Sequence, residues 1–228
     1  MLGSWAGAMG HMQFLPSVFL RHATDGDGDG KRDLWGSIPD ALASAGNFLR
    51  DIGWESGLRW GREVRLPNDF DYTLAGRDAE EPLSTWVDRG VRDVFGNALP
   101  RLDLPSALIV PSGHTGPAFL VYRNFDVIMR WNRSEFYALA VGRLADRIAG
   151  GGPLAQPPPE ATVRITADDV RQLQRDLAVL GYDVGPPDGI AGPATRRALS
   201  RFQASRELVA DGYLDPGLLA AVREEAGR

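Results

Sequence analysis

Ser4-Trp5-Ala6-Gly7-Ala8-Met9-Gly10-His11-Met12-Gln13-Phe14-Leu15-Pro16-Ser17 is the stretch on which the reading of this chain turns. Small residues surround a single aromatic, which lets backbone or ligand come close. A polar Gln13 then stands between Met12 and Phe14. On composition alone the stretch reads as a tightly packed helix start or turn beside a core tryptophan. The chain around it has 228 residues, enough for one large domain or two small ones. Hydrophobic residues make up 43% and charged residues 24%, which argues against collagenous, disordered or coiled-coil readings of the whole. A net charge of −5, with no local basic patch, argues against a nucleic-acid partner. The absence of Cys excludes a disulfide framework, a thiolate nucleophile and a Cys-based zinc site. His11, His22 and His114 are too scattered to suggest a His-rich metal site. No apolar run approaches the ~20 residues of a membrane span, and Met1-Leu2-Gly3-Ser4 does not read as a signal peptide.

Just downstream, Asp25-Gly26-Asp27-Gly28-Asp29-Gly30-Lys31-Arg32-Asp33 alternates carboxylates with glycines. Carboxylates at positions 1, 3 and 5, Gly at 6 and Asp at 9 match the first part of an EF-hand loop, in which alternate side chains converge on one hard cation. Lys31 would offer its backbone carbonyl, and Gly36 stands where the loop expects a bidentate Glu. Asp40 is the residue expected to close the site. Asp25, Asp27, Asp29, Lys31 and Asp40 are therefore the candidate ligands for a structural calcium, the alternative being a solvated acidic turn; no catalytic cofactor is expected. The next helix has Ser37 as cap, Pro39 in its first turn, and an expected core stripe of Ile38, Leu42, Ala45, Leu49 and Ile52 ended by Gly53.

Ser106–Val110 and Ala118–Tyr122, separated by a loop rich in Pro and Gly, predict a β-hairpin beside a helical body, with His114 as a turn residue at the loop tip. A helix is expected from Ser134 to Ile148, with Tyr137, Val141, Leu144 and Ile148 on one face. Gly150-Gly151-Gly152-Pro153 and Gln156-Pro157-Pro158-Pro159-Glu160 then read as an extended, solvated linker. All six Trp precede it. After it, Thr166 can cap a helix carrying Val170, Leu173, Leu177 and Leu180 and stopped by Gly181. Further helices begin at Pro193 and at Asp215-Pro216, each preceded by an Asp-Gly turn, Asp188-Gly189 and Asp211-Gly212, as a weak internal repeat.

Val170-Arg171-Gln172-Leu173-Gln174, Leu177, Leu180-Gly181-Tyr182, Asp188-Gly189, Gly192, Thr195, Ala198, Phe202-Gln203 and Asp211-Gly212 together resemble the small three-helix peptidoglycan-binding domain. Arg175, Tyr182 and Gln203 are the polar residues there that could touch glycan or stem peptide. The opening stretch resembles the motif of the MltB-like lytic murein transglycosylases, with Leu15 in place of a Met. That resemblance continues through Asp33-Leu34-Trp35, Asn47-Phe48-Leu49, Gly53-Trp54, Gly61-Arg62-Glu63-Val64, Phe119–Phe125 and Trp131-Asn132-Arg133-Ser134.

The resemblance implies a mostly helical α+β chain: a lysozyme-like transglycosylase domain with a small β-hairpin or sheet at 1–149, truncated at its N-terminus, a linker at 150–163 and an all-α peptidoglycan-binding domain at 164–228. It implies cleavage of the MurNAc-β-1,4-GlcNAc bond by one Glu acting as general acid and then base, with the muramic C6 hydroxyl attacking to leave a 1,6-anhydro product. It places Ser4 beside the catalytic Glu, Gln13 on substrate sugar, and Asn132, Tyr122 and Tyr137 in or near the cleft. The family's Glu stands before the Ser-Trp-Ala-Gly motif, where this chain has only Met1, Leu2 and Gly3. Glu55 has a superficially similar context but the wrong order in the chain and reads as a loop residue; Glu63, Glu80 and Glu81 have weaker claims. Two readings follow: a transglycosylase whose acid is supplied by upstream sequence, or a catalytically silent peptidoglycan binder. The expected partner is the peptidoglycan glycan strand, the expected location the periplasm or cell envelope, and the expected state a monomer.

Overall fold

In the computed structural model, residues 3–160 and 164–227 are described; the last three residues of the expected linker, and the chain's first two and final residues, lie outside this range. In chain order the elements are α1 (Pro16–His22), α2 (Ile38–Asp51), β1 (Gly61–Arg65), a 3-10 turn at Tyr72–Leu74, β2 (Glu81–Pro82), α3 (Leu83–Asp88), β3 (Arg92–Asp93), β4 (Pro105–Ile109), β5 (Ala118–Val121), α4 (Arg123–Trp131), α5 (Glu135–Ile148), α6 (Ala167–Val179), α7 (Pro193–Ser205) and α8 (Pro216–Glu225). The fold is mostly helical with one small antiparallel sheet, as expected. The chain divides into two compact units: residues up to Arg59 together with Arg123–Val141, and Trp60–Tyr122 together with everything from Gly142 onward.

The first unit is organised by an aromatic cluster. Phe14 lies 5.5 Å from both Phe48 and Trp131, whose rings are 5.1 Å apart, and Leu34 and Ala41 complete the buried centre. Such tilted and edge-on pairs add to the stabilisation from area burial alone. In α2 the Ser37 hydroxyl caps the helix by accepting from the Asp40 amide. The expected stripe is displaced by about one residue: Ile38 and Leu42 are 52% and 60% exposed, whereas Asp40, Ala41 and Ser44 are buried. Ala41 and Phe48, two turns apart, set the inward face.

In the second unit the sheet has the order β2-β4-β5-β1-β3, and every neighbouring pair is antiparallel. The expected hairpin is β4–β5, with Ile109 opposite Phe119 and Ala107 opposite Val121. Both strands are almost wholly buried, which explains their near-continuous apolar runs. Strand β1 carries only one large apolar residue, Val64. Its Gly61 allows the close approach to β5, because a Cβ there would lie 2.7 Å from the Leu120 carbonyl oxygen.

Helix α5 buries Ala138, Leu139 and Gly142, not Leu144 and Ile148, which are exposed. A Cβ on Gly142 would fall 2.4 Å from the Trp60 ring, so the helix face is chosen by its smallest residue. The segment beyond α5 is less free than its composition suggests. Ala155 and Gln156 donate their backbone N–H groups to the Glu63 carboxylate at 2.9 and 2.8 Å, and Gln156 Nε2 donates to the Thr115 carbonyl at 2.8 Å.

The C-terminal helices form as expected. Thr166 and Asp169 make a reciprocal capping box on α6, Gly181 follows its end at φ +88, and Asp215 caps α8 by accepting from the Leu218 amide at 2.9 Å. Leu173, Leu177, Leu199, Phe202 and Val222 form the centre of their core.

Candidate functional site

The opening stretch folds into a three-rung loop with Met9 in the middle, bridging Gly3 on one side and Phe14 on the other. Ser4 and Gln13, adjacent to the outer rungs, are thereby carried by one local structure. Ser4 donates its backbone N–H to the Ala8 carbonyl at 2.9 Å, its own carbonyl accepts from the Gly7 amide at 2.8 Å, and its Oγ accepts from the Ala8 amide at 3.1 Å. Gly10 sits at φ +67 against Leu34, where a Cβ would lie 2.7 Å from the Leu34 carbonyl oxygen; only glycine satisfies both conditions. Gln13 itself adopts φ +50, one of two non-glycine residues with positive φ among the described residues. Its Nε2 donates to the Gly10 carbonyl at 2.9 Å. A left-handed non-glycine residue costs on the order of 1–3 kcal/mol and persists only where the surrounding structure over-determines it. Trp5 is not the core tryptophan that composition suggests; it is fully exposed.

The remaining expected cleft residues fall in different places. Asn132 is exposed in the turn between α4 and α5, where its carbonyl accepts from the Ser134 amide at 2.8 Å. Tyr137 is half-buried in the first turn of α5 and donates its backbone N–H to Ser134 Oγ at 3.3 Å. Tyr122 belongs to the second unit and is buried, with the Arg62 guanidinium 5.8 Å from its ring centre.

Glu55 occupies a loop, as its order in the chain indicates, and pairs with Arg123 Nε at 2.9 Å while about half exposed. The loop is built by a residue that sequence reading had not singled out. Asn124 is fully buried; its Oδ1 accepts from the Glu55 amide at 2.9 Å, and its Nδ2 donates to the carbonyls of Glu55 at 2.9 Å and Leu58 at 2.6 Å. The signal that could have found it is a polar residue inside the apolar run Phe119–Phe125. Glu63 anchors the linker, and Glu81 pairs with Arg89 at 3.3 Å.

The acidic loop brings Asp25, Asp27 and Asp29 together, with one oxygen from each inside a mutual 4.8 Å. Asp25 accepts from the amides of Gly28 at 2.6 Å and Gly30 at 2.8 Å, and Ser37 Oγ donates to Asp27 at 2.7 Å. Lys31 donates its amide to Asp29 at 2.8 Å. Asp40 is not in that trio. Buried at the start of α2, it accepts from the Gly26 and Asp33 amides, each at 2.7 Å, and so ties the two ends of the loop together. Those hydrogen bonds hold its carboxyl below the usual range. Asp33 is lowered for the same reason, by the Gly36 and Trp35 amides. Three carboxylates this close repel one another in water, and their spacing and hard oxygen donors suit calcium.

In the C-terminal helices the two Asp-Gly turns are held by the same device. Gln174 Nε2 donates to Asp188 Oδ1 at 3.0 Å and its Oε1 accepts from the Gly189 amide at 3.0 Å; Gln203 does the same to Asp211 Oδ1 and from Gly212, both at 2.8 Å. Gln203 is thus a buried clamp rather than a surface contact for glycan. Tyr182 shares a hydrogen bond with Ser205 Oγ at 3.0 Å, and Arg175 reaches Gln172 at 3.3 Å.

Residues 1–146 match the family model of the transglycosylase SLT domain, and residues 166–222 match that of a peptidoglycan binding domain. The chain is 48% identical to SltB3 from Pseudomonas aeruginosa, solved in complex with NAG-anhNAM-pentapeptide, with a TM-score of 0.92 over 98% of this chain and 60% of that one. It is 33% identical over 159 residues to membrane-bound lytic murein transglycosylase B of Escherichia coli K12, covering 64% of this chain and 39% of the relative. The Escherichia coli lytic transglycosylase Slt35 in complex with calcium is 28% identical, with a TM-score of 0.51 over 65% of this chain and 46% of that one. The chain therefore spans less than two thirds of the length of each of these relatives. Among the described residues, no helix is long and apolar enough to cross a membrane.

Proposed function

This chain belongs to the transglycosylase SLT domain family, and on that premise we propose that it acts on peptidoglycan in the cell envelope as the substrate-holding part of a lytic transglycosylase. Residues 1–149 would form the transglycosylase portion, 150–163 the connection, and 164–228 the wall-binding module, working as a monomer. The observation that carries this reading is the Gly3–Phe14 loop, in which Gln13 is kept at φ +50 and exposed, on the same three-rung structure as Ser4. A polar side chain held in a disfavoured conformation is suited to meeting a sugar without reorganising. Asn132 and Tyr137, in the same unit as Gln13, are further candidate contacts, whereas Tyr122 is buried and closed to a sugar. With a Glu supplied by sequence preceding Ser4, the reaction is cleavage of the MurNAc-β-1,4-GlcNAc bond with the C6 hydroxyl as nucleophile, which requires neither water nor a second carboxylate.

The second reading, a silent peptidoglycan binder, is favoured by the occupations of the glutamates: Glu55 pairs with Arg123, Glu63 holds the linker and Glu81 pairs with Arg89. For the acidic loop we propose a structural calcium held by Asp25, Asp27 and Asp29 and the Lys31 carbonyl. Asp40 shapes the loop and stands as the remaining candidate ligand.

Incubation of the chain with purified sacculi tests both readings. Pelleting of the wild type, weakened in Gln13→Ala at unchanged thermal unfolding, supports the shared premise that this loop meets glycan. Wild-type protein that stays in the supernatant refutes it. Release of 1,6-anhydromuropeptides favours the enzyme reading and places the acid within these residues, and loss of that release in Glu55→Gln makes Glu55 the acid. Binding without release favours the silent binder.

A further inference from the structure

The duplicated Gln–Asp-Gly clamp exposes a difference between its two copies. In the first, the hydrogen bonds accepted by Asp188, from Gln174 and from the Ile190 amide, both fall on Oδ1, and Ile190 is exposed. In the second, Asp211 Oδ1 is used in the same way, by Gln203 and the Tyr213 amide. Its Oδ2, however, accepts the backbone N–H of His114 at 2.9 Å and lies 2.6 Å from His114 Nδ1. The Asp211 side chain is only 3% exposed. The first copy shows that the turn folds without such a partner, so the contact to His114 serves something other than the turn.

His114 lies in the loop between β4 and β5, far from the helices in sequence. That loop is shaped to meet the turn: Gly113 takes φ +70, and a Cβ there would lie 2.7 Å from Asp211 Oδ2 and 2.9 Å from Tyr213 Cβ. The Tyr72 ring packs edge-on against His114 at 6.1 Å, and Asp78 pairs with Arg197 at 3.2 Å. A carboxylate removed from water, receiving a backbone amide and an imidazole on one oxygen, is a specific and charge-assisted contact. We propose that the 110–116 loop is a built-in docking ligand for the Asp211-Gly212 turn, so that the C-terminal helical module is latched to the sheet and does not swing on a flexible tether.

The absence of cysteine makes the test clean. Asp103→Cys and Ala204→Cys place spin labels at exposed positions of the sheet side and of α7. Double electron–electron resonance on the full chain should give one narrow distance. His114→Ala should broaden it, with the undocked fraction rising about tenfold, the factor expected for one hydrogen bond to a charged group. Gly113→Ala, which leaves both partner side chains in place, should broaden it as well. Adding Asp211→Asn to His114→Ala should broaden it further, because the backbone N–H at position 114 still donates to Asp211 Oδ2 once the imidazole is gone. Hydrogen exchange in α6–α8 should be unchanged by His114→Ala, which separates undocking from unfolding. A wild-type distribution already as broad as the variants', or variants as narrow as the wild type, overturns the proposal.

Discussion

Gln174→Met removes the amide of the first clamp while nearly conserving volume, so the loss is one of hydrogen bonding and not of packing. Gln174 is buried and has four polar contacts: its two Nε2 hydrogens are shared among Asp188 Oδ1 at 3.0 Å, the Ile190 carbonyl at 3.1 Å and Thr195 Oγ1 at 3.1 Å, and its Oε1 accepts from the Gly189 amide at 3.0 Å. Asp188 and Gly189 lie at the surface and can recover water, but Thr195 is buried and cannot. At about 1 kcal/mol net per bond, with part recovered by water, the cost is about 2–3 kcal/mol. A core of this size supplies only about 3–5 kcal/mol, so most of the module's margin would be lost. Hydrogen exchange resolved by peptide should quicken about 30- to 150-fold across α6 and α7. Gln203→Met, which loses only the two bonds to Asp211 and Gly212, should produce a smaller change. Unchanged exchange in Gln174→Met, or a larger effect in Gln203→Met, would refute the reasoning.

Two further outcomes are expected. Calcium should raise the melting temperature of the wild type but not of Asp27→Ala, which lacks the central carboxylate of the trio; equal shifts in both would remove the metal from the loop. Asp169 is held at about 2 by hydrogen bonds from the Thr166 amide and hydroxyl and from Arg223. Because that value is depressed below the unfolded one, its contribution is full above about pH 4 and disappears as pH falls through about 2. The stability difference between wild type and Asp169→Asn, followed by circular dichroism, should shrink over that window, and a constant difference would contradict the assignment.

The helices of the C-terminal module were legible almost to the residue, because each begins on a cap or proline and buries a regular apolar stripe. The β4–β5 hairpin was legible for a similar reason, since both strands are buried, nearly continuous apolar runs interrupted only by Ser106. Where packing is decided by small residues, periodicity misleads. In α2 the inward face is set by Ala41 and in α5 by Ala138 and Gly142, so Ile38, Leu42, Leu144 and Ile148, the more conspicuous residues, point outward. Strand β1 was hidden because its close approach depends on the missing Cβ of Gly61. At the candidate site the motif around Ser4 and Gln13 was visible, but the left-handed backbone of Gln13 was not, since no glycine marks it. Asn124, Glu63 and His114 act through partners 69, 92 or 93, and 97 positions away, a separation that no local pattern encodes.

The hold of Glu63 on Ala155 and Gln156 also alters the arithmetic of the connection. A free tether would run over 149–166, from the end of α5 to the start of α6, whereas one fixed at Gln156 runs only over 157–166. Effective concentration falls roughly as the −3/2 power of tether length, so this one carboxylate raises the local concentration of the helical module beside the sheet about twofold. A side chain on an edge-proximal strand thus sets the search volume of a domain that begins only at α6.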